Sequence, residues 1–458
     1  MTLHIIILAA GQGKRMHSSK AKVLHEIAAK PMLRHVIEVA QQLQPEKIHV
    51  VIGHAAQQIK NAFSDTPVNW VTQEQQLGTG HAVMQALPFI PSTANILILS
   101  GDVPLIQKET LIKLLDIAKK STCLALLTAL LENPAGLGRI LRDGNKKIYA
   151  IVEEKDATET QRQVKEIYTG ICCVPASMLN EWLPMLNCQN AQGEYYLTEI
   201  IALANNQNFP LDSFTVQDPI EVQGVNDRLQ LQQLERAWQL KYAEKLMREG
   251  VTLADATRID VRGEISAERD TFIDVNTVFE GNVRIGEGSK IGPNCVLKNV
   301  VLGKNCEVYA NSVLEGCEIA ENCQIGPFAR LRPGTKLAKH CKIGNFVETK
   351  NAVFDESSKA NHLTYLGDVT LGKNVNVGAG TITCNYDGAY KHQTVIEDGV
   401  FIGSDTQLVA PVTVGENATI GAGSTIRKNV PAGELTLTVS TQKTVNGWKR
   451  PKKYKEEG

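Results

Sequence analysis

The chain has 458 residues, a formal net charge of −1 from 48 basic and 49 acidic side chains, and a hydrophobic content of 43%. One core does not fill so long a chain, so two or more domains are expected, and the balanced charge lacks the basic excess that binds nucleic acid. No apolar run reaches the ~18 residues of a membrane span; the run Leu3 to Ala10 lacks the basic flank of an export signal and reads as a buried strand.

Short apolar runs (Leu3 to Leu8, Ile48 to Ile52, Ile96 to Ser100, Leu124 to Ala129, Ile171 to Val174) alternate with helical stretches such as Pro31 to Leu43 and Glu109 to Lys119. That alternation predicts an α/β fold, a doubly wound, Rossmann-like, mostly parallel sheet whose ligands bind beyond the carboxyl ends of the strands. The first such loop is Leu8-Ala9-Ala10-Gly11-Gln12-Gly13-Lys14-Arg15-Met16, with Lys22 shortly after. Its glycines let backbone N–H groups approach phosphate oxygens, and Arg15 and Lys22 supply countercharge. A dinucleotide fingerprint needs glycine where Met16 stands, which argues against an oxidoreductase. Ser100-Gly101-Asp102 ends an aliphatic strand. A carboxylate there either holds a metal against phosphates or merely caps a turn.

From Asp227 the period changes: Leu231, Leu234, Trp238 and Leu246, with Gly250 beyond, predict one amphipathic linker helix. After it the chain walks in steps of six, from Ile285-Gly286, Ile291-Gly292 and Leu302-Gly303 to Ile420-Gly421, with small residues such as Ser289, Cys306 and Ala418 four positions after the aliphatic. An aliphatic, a turn glycine and a small corner residue are the hexapeptide signature of a parallel β-helix. The ten cysteines include no Cys-x-x-Cys pair, and Cys295, Cys306, Cys317, Cys323 and Cys341 fall in the corner slot, so they read as structural thiols of a reducing compartment. Three stretches, Phe328 to Gly334, Asn345 to Lys350 and Ser358 to Asp368, interrupt the walk. Arg332 and Lys350 on a solenoid face suit a sugar phosphate. His362 is of the residue type that titrates near neutrality and suits a base for an attacking amine; taken alone it reads first as a hydrogen-bonded surface histidine.

The string Leu8 to Met16 with Lys22 resembles the signature of sugar-1-phosphate nucleotidyltransferases, and with the hexapeptide array the chain from Leu3 to about Trp448 resembles the bacterial bifunctional N-acetylglucosamine-1-phosphate uridyltransferase/glucosamine-1-phosphate acetyltransferases. The resemblance implies a nucleotidyltransferase domain over 1–228, a linker helix over 229–249, and a left-handed β-helix acetyltransferase domain with its tail over 250–458. At the first site it implies UTP and UDP-sugar contacts by Leu8, Ala9, Ala10, Gly11, Arg15, Lys22, Gln73, Gly78, Thr79, Ser100, Gly101, Asp102, Gly138, Glu153, Tyr168 and Asn226. Among these, Gln73 and the Gly78-Thr79 backbone would read the uracil edge, and Asp102 and Asn226 would hold Mg2+. At the second site it implies His362 as catalytic base, Arg332, Lys350, Tyr365 and Asn376 on the acceptor sugar, and Ala379, Asn385, Tyr386, Ser404 and Ala422 on acetyl-CoA. Two departures stand out. Tyr168 replaces the family's Asn, and the segment before Gln442-Lys443 lacks the family's Arg, so either coenzyme affinity is weaker or Lys443 or the terminal cluster Lys449, Arg450, Lys452, Lys453 and Lys455, which by itself reads as a solvated tail, meets the coenzyme's phosphates. The implied partners are glucosamine 1-phosphate, N-acetylglucosamine 1-phosphate, UTP and acetyl-CoA, handled by a cytoplasmic homotrimer.

Overall fold

The computed structural model describes residues 2–53 and 55–451, and the chain divides into two compact units between Tyr242 and Ala243. In the first unit nine strands make one sheet: β1 (Leu3–Ala9), β2 (Lys47–Ile52), β3 (Asn69–Thr72), β4 (Asn95–Ser100), β5 (Leu124–Leu130), β6 (Arg139–Arg142), β7 (Ile148–Val152), β8 (Glu166–Pro175) and β9 (Leu211–Thr215). Their order is β9-β5-β8-β4-β1-β2-β3, with the β6-β7 hairpin joined to β8. β1 is parallel to both β2 and β4, so the chain order reverses between β1 and β4; β8 is antiparallel to both of its neighbours, β4 and β5. Ile5 to Ile7 and Ile96 to Leu99 are fully enclosed, as strands covered on both faces require. The mixed polar sequences of β3, β6 and β9 carry no continuous apolar run, β7 is a short apolar run (Ile148–Val152) that the sequence reading passed over, and β8 extends well beyond Ile171 to Val174, through a bulge between Tyr168 and Cys172.

Inside this sheet two histidines meet. His4 Nδ1 lies 3.1 Å from His49 Nε2, and the Asn69 amide lies 2.9 Å from His49 Nδ1. Burial, followed by the neighbouring His4 and Lys47, pushes His49 down to about 4; burial lowers His4 as well, against Glu46 and with Lys47. An unfolded imidazole binds its proton near 6.5, so the stability is fully present above that pH and is lost as the pH falls towards 4. The expected loss is about 3 kcal/mol, read as a falling urea midpoint between pH 6.5 and 4 that His49→Phe flattens.

The helix α1 (Arg228–Arg248) begins where the Asp227 carboxylate accepts from Gln230 N–H at 2.8 Å. It ends at Gly250, whose φ of 99° allows Gly250 N–H to reach Met247 O and Val251 N–H to reach Leu246 O, both at 3.1 Å.

The second unit is a coil of parallel ladders grouped in sheets of eleven and fifteen strands. Register stacks Ile273, Ile291, Val308, Ile325, Ile343, Ala360, Val377, Ile402 and Ile420 in one column. A second column runs Ile285, Leu302, Ile319, Leu337, Phe354, Leu371, and a third starts Phe279, Leu297, Leu314, Leu331. Successive members are about 18 residues apart, three six-residue steps per coil, except across the insertion between Val377 and Ile402. All of them are buried, and each enclosed aliphatic side chain stabilises by about 1.5–3 kcal/mol relative to exposure. The corner cysteines are free and buried, and their thiols donate to carbonyls of the next coil, Cys306 to Ala320 O at 3.0 Å and Cys323 to Ala338 O at 3.1 Å.

The glycine after most of the aliphatics, read from sequence as a turn residue, has another job; Gly326, with φ of 93°, is left-handed. Gly286, Gly303 and Gly344 lie outside the left-handed region; a Cβ on them would run into the backbone of the next coil. The left-handed turns come two residues later, where Asn294 and Asn311 stand (φ 60° each). In the next three coils the same position holds Phe328, Phe346 and Leu363, with φ of 56°, 56° and 48°.

Candidate active sites

Backbone hydrogen bonding sets the first site at the reversal of strand order, where ligands of open α/β sheets bind. Gly101 N–H donates to Leu8 O at 2.9 Å and so joins the ends of β4 and β1. Beyond β1 the loop turns at Gly13 (φ 61°), where a side chain would strike Cβ of Lys22. Met16, which breaks the dinucleotide pattern, is buried with Met32, Leu105, Val225 and Leu234, and its carbonyl accepts from Arg228 at 3.2 Å. The start of α1 is thereby fastened to the glycine loop.

Lys22, Asp102 and Asn226 come together over this loop. Lys22 Nζ pairs with Asp102 Oδ2 and lies 3.5 Å from Asn226 Oδ1. Ser100 Oγ donates to Asp102 Oδ1 at 2.8 Å, and Val225 N–H donates to Asp102 O at 3.0 Å. Gln230, absent from the sequence reading, accepts from Asn226 N–H at 2.7 Å and fixes its backbone. One cation, the lysine ammonium, thus bridges two oxygens from separate segments. A carboxylate and an amide carbonyl are hard donors, and two protein oxygens are what Mg2+ commonly takes from a phosphate site, so the residues fit the ion.

Two adjoining cavities of about 570 and 490 Å³ share Leu8, Thr79, Ser100 and Asp102. The smaller is lined by Ala9, Ala10, Gly11, Lys22, Gln73 and Gly78, the larger by Arg15, Gly138, Glu153, Tyr168 and Asn226. Of the residues expected here, only Gly101 lines neither; it lies just behind, on the strand-joining bond. In the larger cavity burial raises the Glu153 carboxyl, partly offset by the Thr198 hydroxyl at 3.2 Å. The loop carrying Gly138 rests on Arg139, which is enclosed and pairs with Glu154 at 2.6 Å. Tyr168 turns its hydroxyl towards Cys172, and burial raises it strongly.

In the second unit the expected residues form a column and a cluster. His362 occupies the corner position that Asn345 holds one coil below, and Ala379, Ser404 and Ala422 occupy it in the coils above. Asp405 N–H donates to Ala379 O at 2.7 Å, and Gly423 N–H to Ser404 O at 2.8 Å. Small side chains therefore leave a track along the corner that ends at the exposed imidazole. On the adjoining face Tyr365 pairs in register with Glu348, and Arg332 donates to Glu348 at 2.9 Å. Lys350 sits beside Lys391, with Arg332 and Asp368 close by, and these neighbouring cations depress its ammonium, Lys391 foremost. Lys391 escaped the sequence reading. Its signal was the long gap in the walk between Val377 and Ile402, which folds as a loop pinned by Asp387, whose carboxylate pairs with His392 at 2.7 Å. Asn385, at the base of that loop, is buried, and Tyr386 is exposed. Asn376 lies apart on the other face, between Lys359 and Phe401. Lys443, Lys449 and Arg450 are exposed; Lys452, Lys453 and Lys455 lie outside the described residues.

Comparison with known proteins follows the same division. Residues 5–162 match the MobA-like NTP transferase domain, 261–357 the GMPPB C-terminal domain, and 393–428 the bacterial transferase hexapeptide (six repeats). Bifunctional protein GlmU of Legionella pneumophila (strain Lens) is 64% identical, with all of both chains covered. The chain belongs to the GlmU family. The Marinobacter nauticus member is 57% identical over 98% of this chain and 99% of its own, and that of Xylella fastidiosa (strain M12) 52% over 99% of each. As a GlmU the protein is a bifunctional enzyme, a uridylyltransferase in its NTP-transferase half and an acetyltransferase in its left-handed hexapeptide half. Its product is UDP-N-acetylglucosamine.

Proposed function

We propose that the paired cavities under the glycine loop are the uridyl-transfer site and that the corner ending at His362 is the acetyl-transfer site. The observation that carries the assignment is the bridging of Asp102 and Asn226 by a cation at the strand reversal, beside a phosphate-sized loop. There an oxygen of the sugar 1-phosphate attacks the α-phosphorus of UTP in line, and pyrophosphate leaves. Arg15 and Lys22 neutralise phosphate oxygens, Gln73 and Gly78-Thr79 hold the base, and Gly138 and Glu153 hold the sugar in a pocket that Tyr168 lines with its hydroxyl turned to Cys172, so that catalysis is positioning and charge compensation. Mg2+ held by Asp102 and Asn226 would supply Lewis-acid stabilisation of the charge on the phosphates.

At the second site His362 takes a proton from the glucosamine amine, whose nitrogen attacks the thioester carbonyl and releases coenzyme A. The corner thiols are buried and donate to backbone carbonyls, so they are not the nucleophile, and transfer is direct. Arg332, Lys350 and Lys391 hold the phosphate of the acceptor, with Tyr365 on the sugar; Asn376, on the other face, meets that sugar from a second copy of the chain; Ala379, Asn385, Tyr386, Ser404 and Ala422 seat acetyl-CoA, and Lys443 faces its phosphates.

The active form is a homotrimer in the cytoplasm. Phe328, Phe346 and Leu363 support a second copy on this corner: bulky residues rarely adopt positive φ, yet these three do so while about half or more exposed (48%, 58%, 65%), and the two phenyl rings stack at 5.3 Å. The free thiols support a reducing compartment. Chelation separates the two chemistries. EDTA should stop pyrophosphate release from UTP while coenzyme A release from acetyl-CoA continues at its former rate; equal sensitivity would overturn the metal assignment.

A further inference from the structure

Gln73 is buried, and its terminal amide is engaged on one side only. Nε2 lies 3.1 Å from the carbonyl oxygen of Gly78 and 3.0 Å from Nδ1 of His81. A carbonyl can only accept, so Gln73 turns its NH2 to Gly78, and His81 Nδ1, sharing the same nitrogen, accepts as well. The ring proton of His81 then resides on Nε2, and because Gln85 Nε2 lies 3.2 Å from that atom, the Gln85 amide turns about its last bond to present its oxygen to it, giving up the longer 3.4 Å approach of its nitrogen to His81 O. His81 and Gln85 stand one turn apart on the helix α2 (Thr79–Ala86), and the Tyr195 ring lies against His81 at 6.4 Å between centroids. With both amide hydrogens engaged, Gln73 offers only Oε1 to the cavity it lines.

We infer that His81 is the positioning residue that sets base selectivity in uridyl transfer. It holds Gln73 with its carbonyl towards the base, where it accepts from the N3–H of uracil and faces, unfavourably, the unprotonated N3 of cytosine. The inference rests on the reading of Gln73 as the group that meets the base. Gly78 alone orients the amide weakly, since one of its two hydrogens is then free; the second acceptor, on a rigid ring whose proton is on Nε2, adds to the cost of the flipped orientation that would present NH2 to cytosine. A site discriminates best when the wrong ligand leaves its polar groups unpaired.

The test is kcat/KM for UTP and for CTP, with N-acetylglucosamine 1-phosphate, in the full chain and in H81L, H81N and Q73L. H81L removes the acceptor, whereas H81N keeps a side-chain oxygen near the place of Nδ1. Removing one neutral hydrogen bond should lower the UTP-to-CTP ratio by about tenfold in H81L, and H81N should recover most of it. Unchanged acetyl transfer in the same preparations reports an intact fold. An H81L ratio within about twofold of wild type, including an equal fall for both nucleotides, overturns the role of His81. If Q73L also leaves the ratio unchanged, the reading of Gln73 falls with it; if Q73L alone collapses the ratio, only His81 is excluded.

Discussion

Asp102→Ala is expected to lower uridyl transfer by about 10²- to 10³-fold and to leave acetyl transfer unchanged. The carboxylate is only 16% exposed and sits between Ser100 Oγ and Lys22 Nζ, with Asn226 held to the same ammonium. Its removal leaves Lys22 without its anion and takes away one of two oxygens able to hold a divalent ion, so the loss should appear in kcat more than in KM for UTP. Asp102→Asn keeps the bulk and an acceptor for Ser100 while losing the charge. It should remain nearly as impaired, which distinguishes charge from shape. Uridyl transfer retained above about a tenth of wild type would exclude Asp102 as a central group.

His362→Asn is expected to do the converse, cutting acetyl transfer by about 10²- to 10⁴-fold with uridyl transfer intact. The imidazole is exposed at the foot of a track of small residues, on the coil below Ala379, so little packing is lost on substitution and the folded state should be preserved. A general base also leaves a kinetic mark: the acid limb of the kcat profile, taken at saturating amine and acetyl-CoA, should disappear in the variant. If the His362→Asn variant still acetylates with the wild-type pH profile, another group is the base; if either substitution abolishes both activities, the two-site division fails.

The first half was readable because β1 and β4 are continuous aliphatic runs that only a doubly covered strand explains, and the loops following them contain the polar groups. What spacing does not give is that Lys22, Asp102 and Asn226 meet, or that Gln230 and Arg228 anchor them through α1. In the second half the period predicted the columns and the corner thiols, since enclosure repeats with the coil. It misread most of the glycines, such as Gly286, Gly303 and Gly344, whose need comes from the neighbouring coil's backbone and is invisible in one coil's sequence. Lys391 was missed for a similar reason: it lies 41 positions beyond Lys350 in the numbering, and only a loop folding back beside the preceding coils brings the two ammonium groups together.

By itself, then, the sequence determined the class of each half, through periods of burial, and named the loops where charge collects, because a buried strand or coil tolerates charge only at its ends and corners. The tertiary structure alone decided which of those charges share a site, since their partners come from distant segments. It also decided how each polar group is oriented, as with the Gln73 amide between Gly78 and His81, because hydrogen-bond direction depends on atoms that no linear spacing relates.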